Sequence, residues 1–301
     1  MRRIRVILNP RSGSKPFSLS LLRWIEEQWG GPETDISYQI SLRPEDGREK
    51  ARRAVADAVD TMIAVGGDGM VNTLGGELIG TSVALGVIPA GSGNGFARHF
   101  GIPLQWRRAV TALAHADRFE IDVGAANGRP FFVTCSLAWD AEVVKWFERS
   151  PVRGIFPYLM SAAYGWWEYK PQPFDVEFEN GECEHFEDPV VFTAANLTQF
   201  GGGARIAPTA CAHDGRLELV VILRKDAVAV LSKLGRLFDG TIDRVPEVRT
   251  RSFQCVRVTR EHPAPVQVDG ELLAPSREVH IEVLKEHLTV LIPRNDMSAR
   301  R

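Results

Sequence analysis

Two glycine clusters constrain this chain more than any other feature. Gly66, Gly67, Asp68 and Gly69 follow the apolar run Met62 to Val65, and Gly91 to Gly95 follow Val83 to Ile88. Each cluster stands where a short buried strand would turn into a helix. Glycines there let backbone N–H groups approach a polyanion closely, and a helix N-terminus adds a favourable field. One such turn is weak evidence. Two in series, one carrying an acid, point to a nucleotide polyphosphate with its metal.

The surroundings of the clusters predict the fold. Ile4 to Leu8 and Ile36 to Ile40 read as strands, and Ser18 to Trp29, Glu49 to Val59, Val71 to Ile79 and Trp106 to Ala116 as helices. Strands alternating with helices favour a parallel sheet covered on both faces, with ligands at the carboxyl ends of the strands. After Asp122 the texture changes. Short apolar runs at Phe131 to Cys135, Phe174 to Phe178, Val190 to Ala194, Leu217 to Leu223, Phe253 to Val258 and Val266 to Val268 alternate with turn-rich stretches. They predict a mostly antiparallel second domain, interrupted by helices near Phe156 to Tyr169 and Ala227 to Phe238. Leu288 to Ile292 reads as a strand returning to the first domain. The expected division is therefore 1–122 with 286–296, and 123–285.

Composition sets bounds. A net charge of −2 over 301 residues argues against nucleic-acid binding through bulk charge. The cysteines, Cys135, Cys183, Cys211 and Cys255, have neither zinc spacing nor a disulfide framework, which suggests a reducing compartment. No window predicts a membrane-spanning helix or a signal peptide, so the expectation is a cytoplasmic protein. Asn196-Leu-Thr198 is formally a glycosylation sequon and carries no weight without export.

Four further motifs each admit two readings. Asn9, Pro10, Arg11, Ser12 and Gly13 close the first strand, either as an ordinary strand-to-helix turn or as a third phosphate-binding loop. Asp68 either orders its own turn or binds Mg²⁺ between carboxylate and phosphates, which would otherwise repel. Val266 to Glu271 is either a solvated Asp-Gly hairpin or the source of a base that accepts a hydroxyl proton during attack on phosphorus. His213 to Arg216 is either a plain turn or a small cation site. The aromatic stretch Tyr164 to Tyr169 reads as core or as a belt touching lipid.

Taken together, these motifs resemble the diacylglycerol kinase catalytic-domain family, which includes the diacylglycerol, sphingosine and ceramide kinases and bacterial relatives. Asn9 to Gly13 resembles the family's NPxSG and Gly66 to Asn72 its GGDGTxNE. Pro89 to Arg98 with Gly101-Ile-Pro103 resembles its P-x-G-T/S-x-N stretch. Ile121 to Gly124, Gly201 to Gly203, Asp214-Gly215 and Asp269 to Glu271 follow in the family's order. The resemblance implies an α/β N-terminal nucleotide-binding domain like those of NAD kinase and phosphofructokinase. It also implies a mostly antiparallel β-sandwich-like C-terminal lipid domain, with ATP in the cleft between the two.

By resemblance, Asn9 to Gly13, Ser41, Gly66, Gly67, Asp68, Gly69, Met70, Val71, Asn72, Gly91, Ser92 and Asn94 hold ATP. Glu271 is the proton acceptor, and Asp269 and Asp68 complete the acidic set. A structural Mg²⁺ is held by the Asp214 side chain with carbonyls of Cys211 and Arg216. Three positions depart from the pattern: Met70 replaces the usual Thr, Thr73 a common Glu, and Gly95 an Asp of many diacylglycerol kinases. The last leans toward the sphingosine and ceramide branch. The expected activity is ATP- and Mg²⁺-dependent phosphorylation of a hydroxyl on a membrane-derived lipid. The expected partner is lipid at the membrane surface, with terminal Arg2, Arg3, Arg5, Arg300 and Arg301 as candidate contacts and a homodimer allowed. The competing readings are a kinase of a soluble hydroxyl compound such as NAD, and a silent nucleotide- or lipid-binding regulator.

Overall fold

The structure is a computed structural model and describes residues 1–12, 19–142 and 169–294. The chain forms two compact units, Met1–Ile121 with Lys285–Arg301, and Asp122–Leu284. Gly13, the stretch expected to be helical from Phe156, most of the Tyr164 to Tyr169 aromatics, Arg300 and Arg301 lie outside the described residues.

In the first unit, β1 (Arg2–Leu8), β2 (Thr34–Ile40), β3 (Thr61–Gly66) and β4 (Ala84–Pro89) pair in parallel. The chain's last strand, β18 (Leu288–Ile292), returns beside β4, and β5 (Asp117–Ile121) closes the edge antiparallel to it. The order is β2-β1-β3-β4-β18-β5. Strands β3 and β4 are buried at every residue, which is why they read as unbroken apolar runs. Helix α1 (Leu19–Trp29) buries Leu21, Ile25 and Trp29, and the Trp29 indole donates to the Val110 carbonyl of α5 (Trp106–Ala114) at 2.9 Å. Helix α2 (Pro44–Ala56) starts ahead of the Glu49 expected from periodicity. Its first turn is set by proline and by Glu45 and Asp46 near the positive end of the dipole, a signal apolar spacing does not carry. Helix α3 (Asp68–Gly75) likewise begins inside the glycine cluster rather than at Val71.

The second unit is built on a ten-stranded antiparallel sheet. Its strands are β6 (Gly124–Ala126), β7 (Arg129–Phe131), β8 (Thr134–Ser136), β9 (Phe174–Phe178), β10 (Cys183–Phe186), β11 (Pro189–Ala195), β14 (Leu217–Leu223), β15 (Arg249–Phe253), β16 (Cys255–Val268) and β17 (Glu271–Val283). The order is β15-β14-β11-β8-β16-β17-β6-β7, with the β9–β10 hairpin added to β16. Gln199–Gly201 (β12) and Ala204–Arg205 (β13) pair separately. Phe131, Phe174, Phe178, Phe186, Phe192 and Phe253 fill one core, with Phe174 and Phe192 edge-on at 5.1 Å.

Several expectations fail locally. The run Phe131 to Cys135 is divided between β7 and β8, and the run Phe253 to Val258 between the end of β15 and the start of β16. Strand β16 continues through Val266 to Val268 to pair with β17, which the apolar runs did not mark. β16 stays continuous through a register shift between Thr259 and Val266 because the buried Arg260 guanidinium donates to the carbonyls of Leu137, Ala264, Pro265 and Ser276. Burial lowers the Arg260 pKa to about 10, so the group keeps its charge. The helix expected from Ala227 to Phe238 is broken into Ala227–Leu231 and Gly235–Asp239. Asn196 of the formal sequon is fully buried, its amide donating to the carbonyls of Asp122 and Phe132, so it is no glycosylation acceptor in the folded chain.

Candidate functional site

Along the carboxyl edge of the first unit's sheet, backbone hydrogen bonds lace the turns into one row. Ser41 N–H donates to the Leu8 carbonyl at 2.8 Å, Asn9 N–H to Val65 at 3.1 Å, and Ala90 N–H to Gly66 at 2.8 Å. Strand order reverses at β1, flanked by β2 on one side and β3 on the other, so Asn9 and Gly66 sit at the topological switch point. The Asn9 side chain accepts from Arg11 N–H at 2.9 Å and shapes the first loop, in which Pro10 and Arg11 are exposed. A Cβ on Gly66 would lie 3.4 Å from Ser12 Oγ, which places that loop against the second cluster.

The two clusters meet backbone to backbone. A Cβ on Gly91 would stand 2.6 Å from the Gly67 Cα, and one on Gly67 would stand 3.0 Å from the Gly91 Cα. Asn94, left-handed at φ 50°, closes the second turn by accepting from Gly91 N–H at 2.9 Å and donating to the Gly91 carbonyl at 2.8 Å. Asp68 then locks turn to turn, its carboxylate accepting from Gly95 N–H at 2.9 Å and Phe96 N–H at 3.0 Å. It does order backbone, but that of the other cluster and not its own. Gly95 and Phe96 open the short helix α4 (Gly95–His99), and the acid caps it. Ser92 and Gly69 are exposed beside this lock, and a Cβ on Gly69 would meet nothing within 4 Å.

Other predicted residues face inward. Met70, Val71 and Asn72 are 6%, 1% and 4% exposed, and a Cβ on Gly66 would collide with the Met70 side chain. Thr73 donates back to the Gly69 carbonyl at 2.8 Å. Ser41 Oγ is buried and donates to the Arg43 carbonyl at 3.1 Å. These side chains hold the row's shape, and within the two glycine clusters the exposed residues are Gly69 and Ser92.

In the second unit Asp269 and Gly270 form the two-residue turn between β16 and β17, with φ 47° and 86°. Positive φ at both positions is the type I′ geometry that the Asp-Gly pair favours. The Asp269 carboxylate accepts from Phe132 N–H at 2.7 Å, Val133 at 2.8 Å and Thr134 at 3.1 Å, while Asp269 N–H donates to the Thr134 carbonyl. Those bonds hold Phe132 and Val133 out of regular pairing between β7 and β8, which is why the run from Phe131 to Cys135 breaks. Glu271 differs. It is about one-third exposed and pairs with Arg129 at 3.0 Å. The structure thus brings the two acids together in sequence but divides their surroundings, one satisfied by backbone and one open to solvent.

At His213 to Arg216, Asp214 accepts from Arg216 N–H at 3.0 Å and the buried Asp122 accepts from Gly215 N–H at 2.7 Å. The Arg216 guanidinium is turned toward Ser252 and Glu179. Burial first, with Asp214 and Asp122 adding, pushes the Cys211 thiol up in pKa. Carboxylate and carbonyl oxygens in negative surroundings suit a hard cation in kind. Among the described residues no group of three or more His, Cys, Asp or Glu side chains is assembled to hold a metal.

Sequence reasoning missed a buried acid. Asp140 is 3% exposed and accepts from the Thr193 hydroxyl at 2.5 Å and from Ala138 and Ala141 N–H groups, with Ser136 beside Thr193 at 3.2 Å. No glycine, pair or spacing marks it. Burial raises its pKa to about 6 despite those donors. An acid whose folded pKa is raised stabilises fully below its ordinary value and loses that contribution as pH rises through the folded value. The melting temperature of the wild type relative to Asp140→Asn is therefore expected to fall between 3.8 and about 6 and then level off. A flat difference across that range, followed by calorimetry, would count against a protonated Asp140.

An α/β unit with glycine-rich turns at its carboxyl edge, followed by an antiparallel β unit, is the architecture of a two-domain kinase. The chain belongs to the diacylglycerol kinase catalytic-domain family: the diacylglycerol kinase catalytic domain matches residues 3–126, and the YegS C-terminal NAD kinase beta sandwich-like domain matches residues 134–292. It is an enzyme of the lipid kinase class. A relative named Probable lipid kinase YegS-like, from Chromohalobacter salexigens, is 28% identical over 78% of this chain and 77% of its own length. Probable lipid kinase YegS of Salmonella gallinarum is 28% identical over 86% of this chain and 88% of its own. Among solved structures, a diacylglycerol kinase from Bacillus anthracis shares the fold at TM-score 0.74 with 18% identity, covering 97% of each chain. An NAD kinase from Archaeoglobus fulgidus in complex with ATP matches at TM-score 0.52 and 13% identity over 99% of this chain and 98% of that one.

Proposed function

We propose that the protein transfers the γ-phosphoryl group of ATP, with Mg²⁺, to a hydroxyl of a membrane-derived lipid. The observation that carries this reading is the laced row of turns, in which Asp68 locks two glycine clusters edge to edge. Exposed glycine N–H groups and Ser92 receive the phosphates, and Asn9 to Ser12 close over them. Bound between Asp68 and the phosphates, Mg²⁺ would neutralise charge on the transferred group. Asp68 retains lone pairs beyond its two N–H bonds. A second Mg²⁺ at the Asp214 turn, held with the carbonyls of Cys211 and Arg216, is a structural proposal of the same kind.

Glu271 takes the proton of the lipid hydroxyl as that oxygen bonds to the γ-phosphorus and the bond to ADP breaks. Arg129 holds its carboxylate oriented and Asp269 fixes the hairpin that carries it. Chemistry of this kind is mostly positioning and electrostatics.

The test is transfer of labelled phosphate from ATP to diacylglycerol, monoacylglycerol, phosphatidylglycerol, sphingosine and ceramide in mixed micelles, with and without EDTA. A labelled lipid, lost with EDTA, is the expected result. Label passing only to NAD without detergent would replace the lipid by a soluble acceptor, and ATP binding with no transfer would leave a silent binder.

The cradle makes its own prediction. Gly91→Ala forces a methyl against Gly67 and is expected to cost about 1–3 kcal/mol of stability. Gly69→Ala meets open space and should fold normally, yet weaken the ATP-induced rise in melting temperature. Equal ATP shifts in Gly69→Ala and wild type would move the phosphates elsewhere.

A further inference from the structure

All the large apolar side chains strongly exposed in the second unit, among the described residues, fall between 228 and 238. Val228 is 74% exposed, Leu231 50%, Leu234 42% and Phe238 58%. Val228 and Leu231 lie on Ala227–Leu231, Phe238 on Gly235–Asp239 and Leu234 at the N-cap of the latter, so they recur at roughly helical intervals along one broken helical segment. The opposite face is apolar as well: Ala227, Val230 and Leu237 pack into a core with Val190, Ile206, Ile242, Val245 and Val248. A helical surface apolar on both sides has no stable place in water, so the outer face requires a non-aqueous neighbour.

Charge specifies which neighbour. The chain carries a net −2, yet residues 224 to 244 hold five basic residues against three acidic ones. Arg224, Lys225, Arg236 and Arg244 are exposed around the apolar set, and Arg205 lies against Gly240 at its end. Among the described residues, Lys233 alone of this basic set is committed to an ion pair, with Glu247 at 2.8 Å. Apolar side chains rimmed by uncommitted cations match an anionic bilayer, whose headgroups take the charges while its acyl boundary takes the side chains.

We propose that Val228, Leu231, Leu234 and Phe238, framed by Arg224, Lys225 and Arg236, form the surface on which this protein docks onto anionic phospholipid membranes. The proposal deepens the lipid kinase reading by assigning the face through which the enzyme reaches its substrate. Docking is measured separately from turnover, so either can fail alone.

The experiment is flotation with vesicles of phosphatidylcholine alone and of equal parts phosphatidylcholine and phosphatidylglycerol. It uses the wild type, Leu231→Gln/Phe238→Gln and Arg224→Gln/Lys225→Gln, with melting temperature and oligomeric state recorded for each. Wild type is expected to float with the anionic vesicles and lose binding as salt rises. Both variants should melt as wild type and bind at least tenfold more weakly, while turnover of a water-dispersed short-chain lipid is unchanged. Undiminished vesicle binding by Leu231→Gln/Phe238→Gln would overturn the assignment. So would a variant that binds vesicles normally but dissociates from dimer to monomer, since the face would then join two copies of this chain.

Discussion

Glu271→Gln is expected to yield a folded protein whose turnover drops by about 10²–10⁴-fold, the range supplied by a positioned general base. The amide keeps the size and the hydrogen-bonding reach of the acid but cannot accept a proton. Structural cost should be small, because Glu271 is about one-third exposed and its contact with Arg129 is a half-solvated ion pair. Such pairs contribute about 0–1 kcal/mol. Arg129→Gln separates the two roles of the acid. If Glu271 served only to hold Arg129, both variants would lose activity equally. If it is the base, Arg129→Gln should lose far less. Steady-state kcat in mixed micelles, with a denaturation curve for each variant, decides the matter. Full activity in Glu271→Gln would remove it from the reaction.

Asp269→Ala should show the opposite profile, a stability defect first. Its carboxylate satisfies the N–H groups of three consecutive residues, Phe132, Val133 and Thr134. Alanine leaves the N–H groups of the buried residues Phe132, Val133 and Thr134 without that acceptor, and each unsatisfied group costs about 1–3 kcal/mol. Some water will reach the site, so a loss of about 3 kcal/mol or more is expected, measured as a lower urea midpoint at unchanged slope. Asp269→Asn, which keeps one acceptor oxygen, should fall between the two. Wild-type stability in Asp269→Ala would show that the hairpin and the 132–134 turn do not depend on each other, and would return Asp269 to the pool of candidate bases.

The contrast between these neighbours shows what kind of information a sequence carries. Asp269 and Glu271 are two residues apart and look equivalent on paper. Their difference lies in partners more than a hundred residues away, at Arg129 and at Phe132 to Thr134. Asp68 repeats the lesson at shorter range. Its carboxylate is spent in part on Gly95 and Phe96, and no local pattern says which backbone an acid will cap. Asp140 was invisible altogether, since a buried acid is recognised by what surrounds it and not by its neighbours in sequence.

What the sequence determined by itself is what local chemistry controls. Apolar runs buried at every residue announced β3 and β4, glycines announced the sharp turns after them, and Asp-Gly announced the hairpin, because each depends on backbone freedom or burial within a few residues. The class of enzyme followed from the ordered set of motifs. Tertiary structure alone decided where β18 returns, why the run at Phe131 breaks and how Arg260 sustains a bulged β16. It also sorted the conspicuous acids into those that hold backbone and Glu271, which is about one-third exposed beside Arg129. A hydrogen bond has no memory of sequence distance: which donor reaches a carboxylate is settled only when the sheets are assembled.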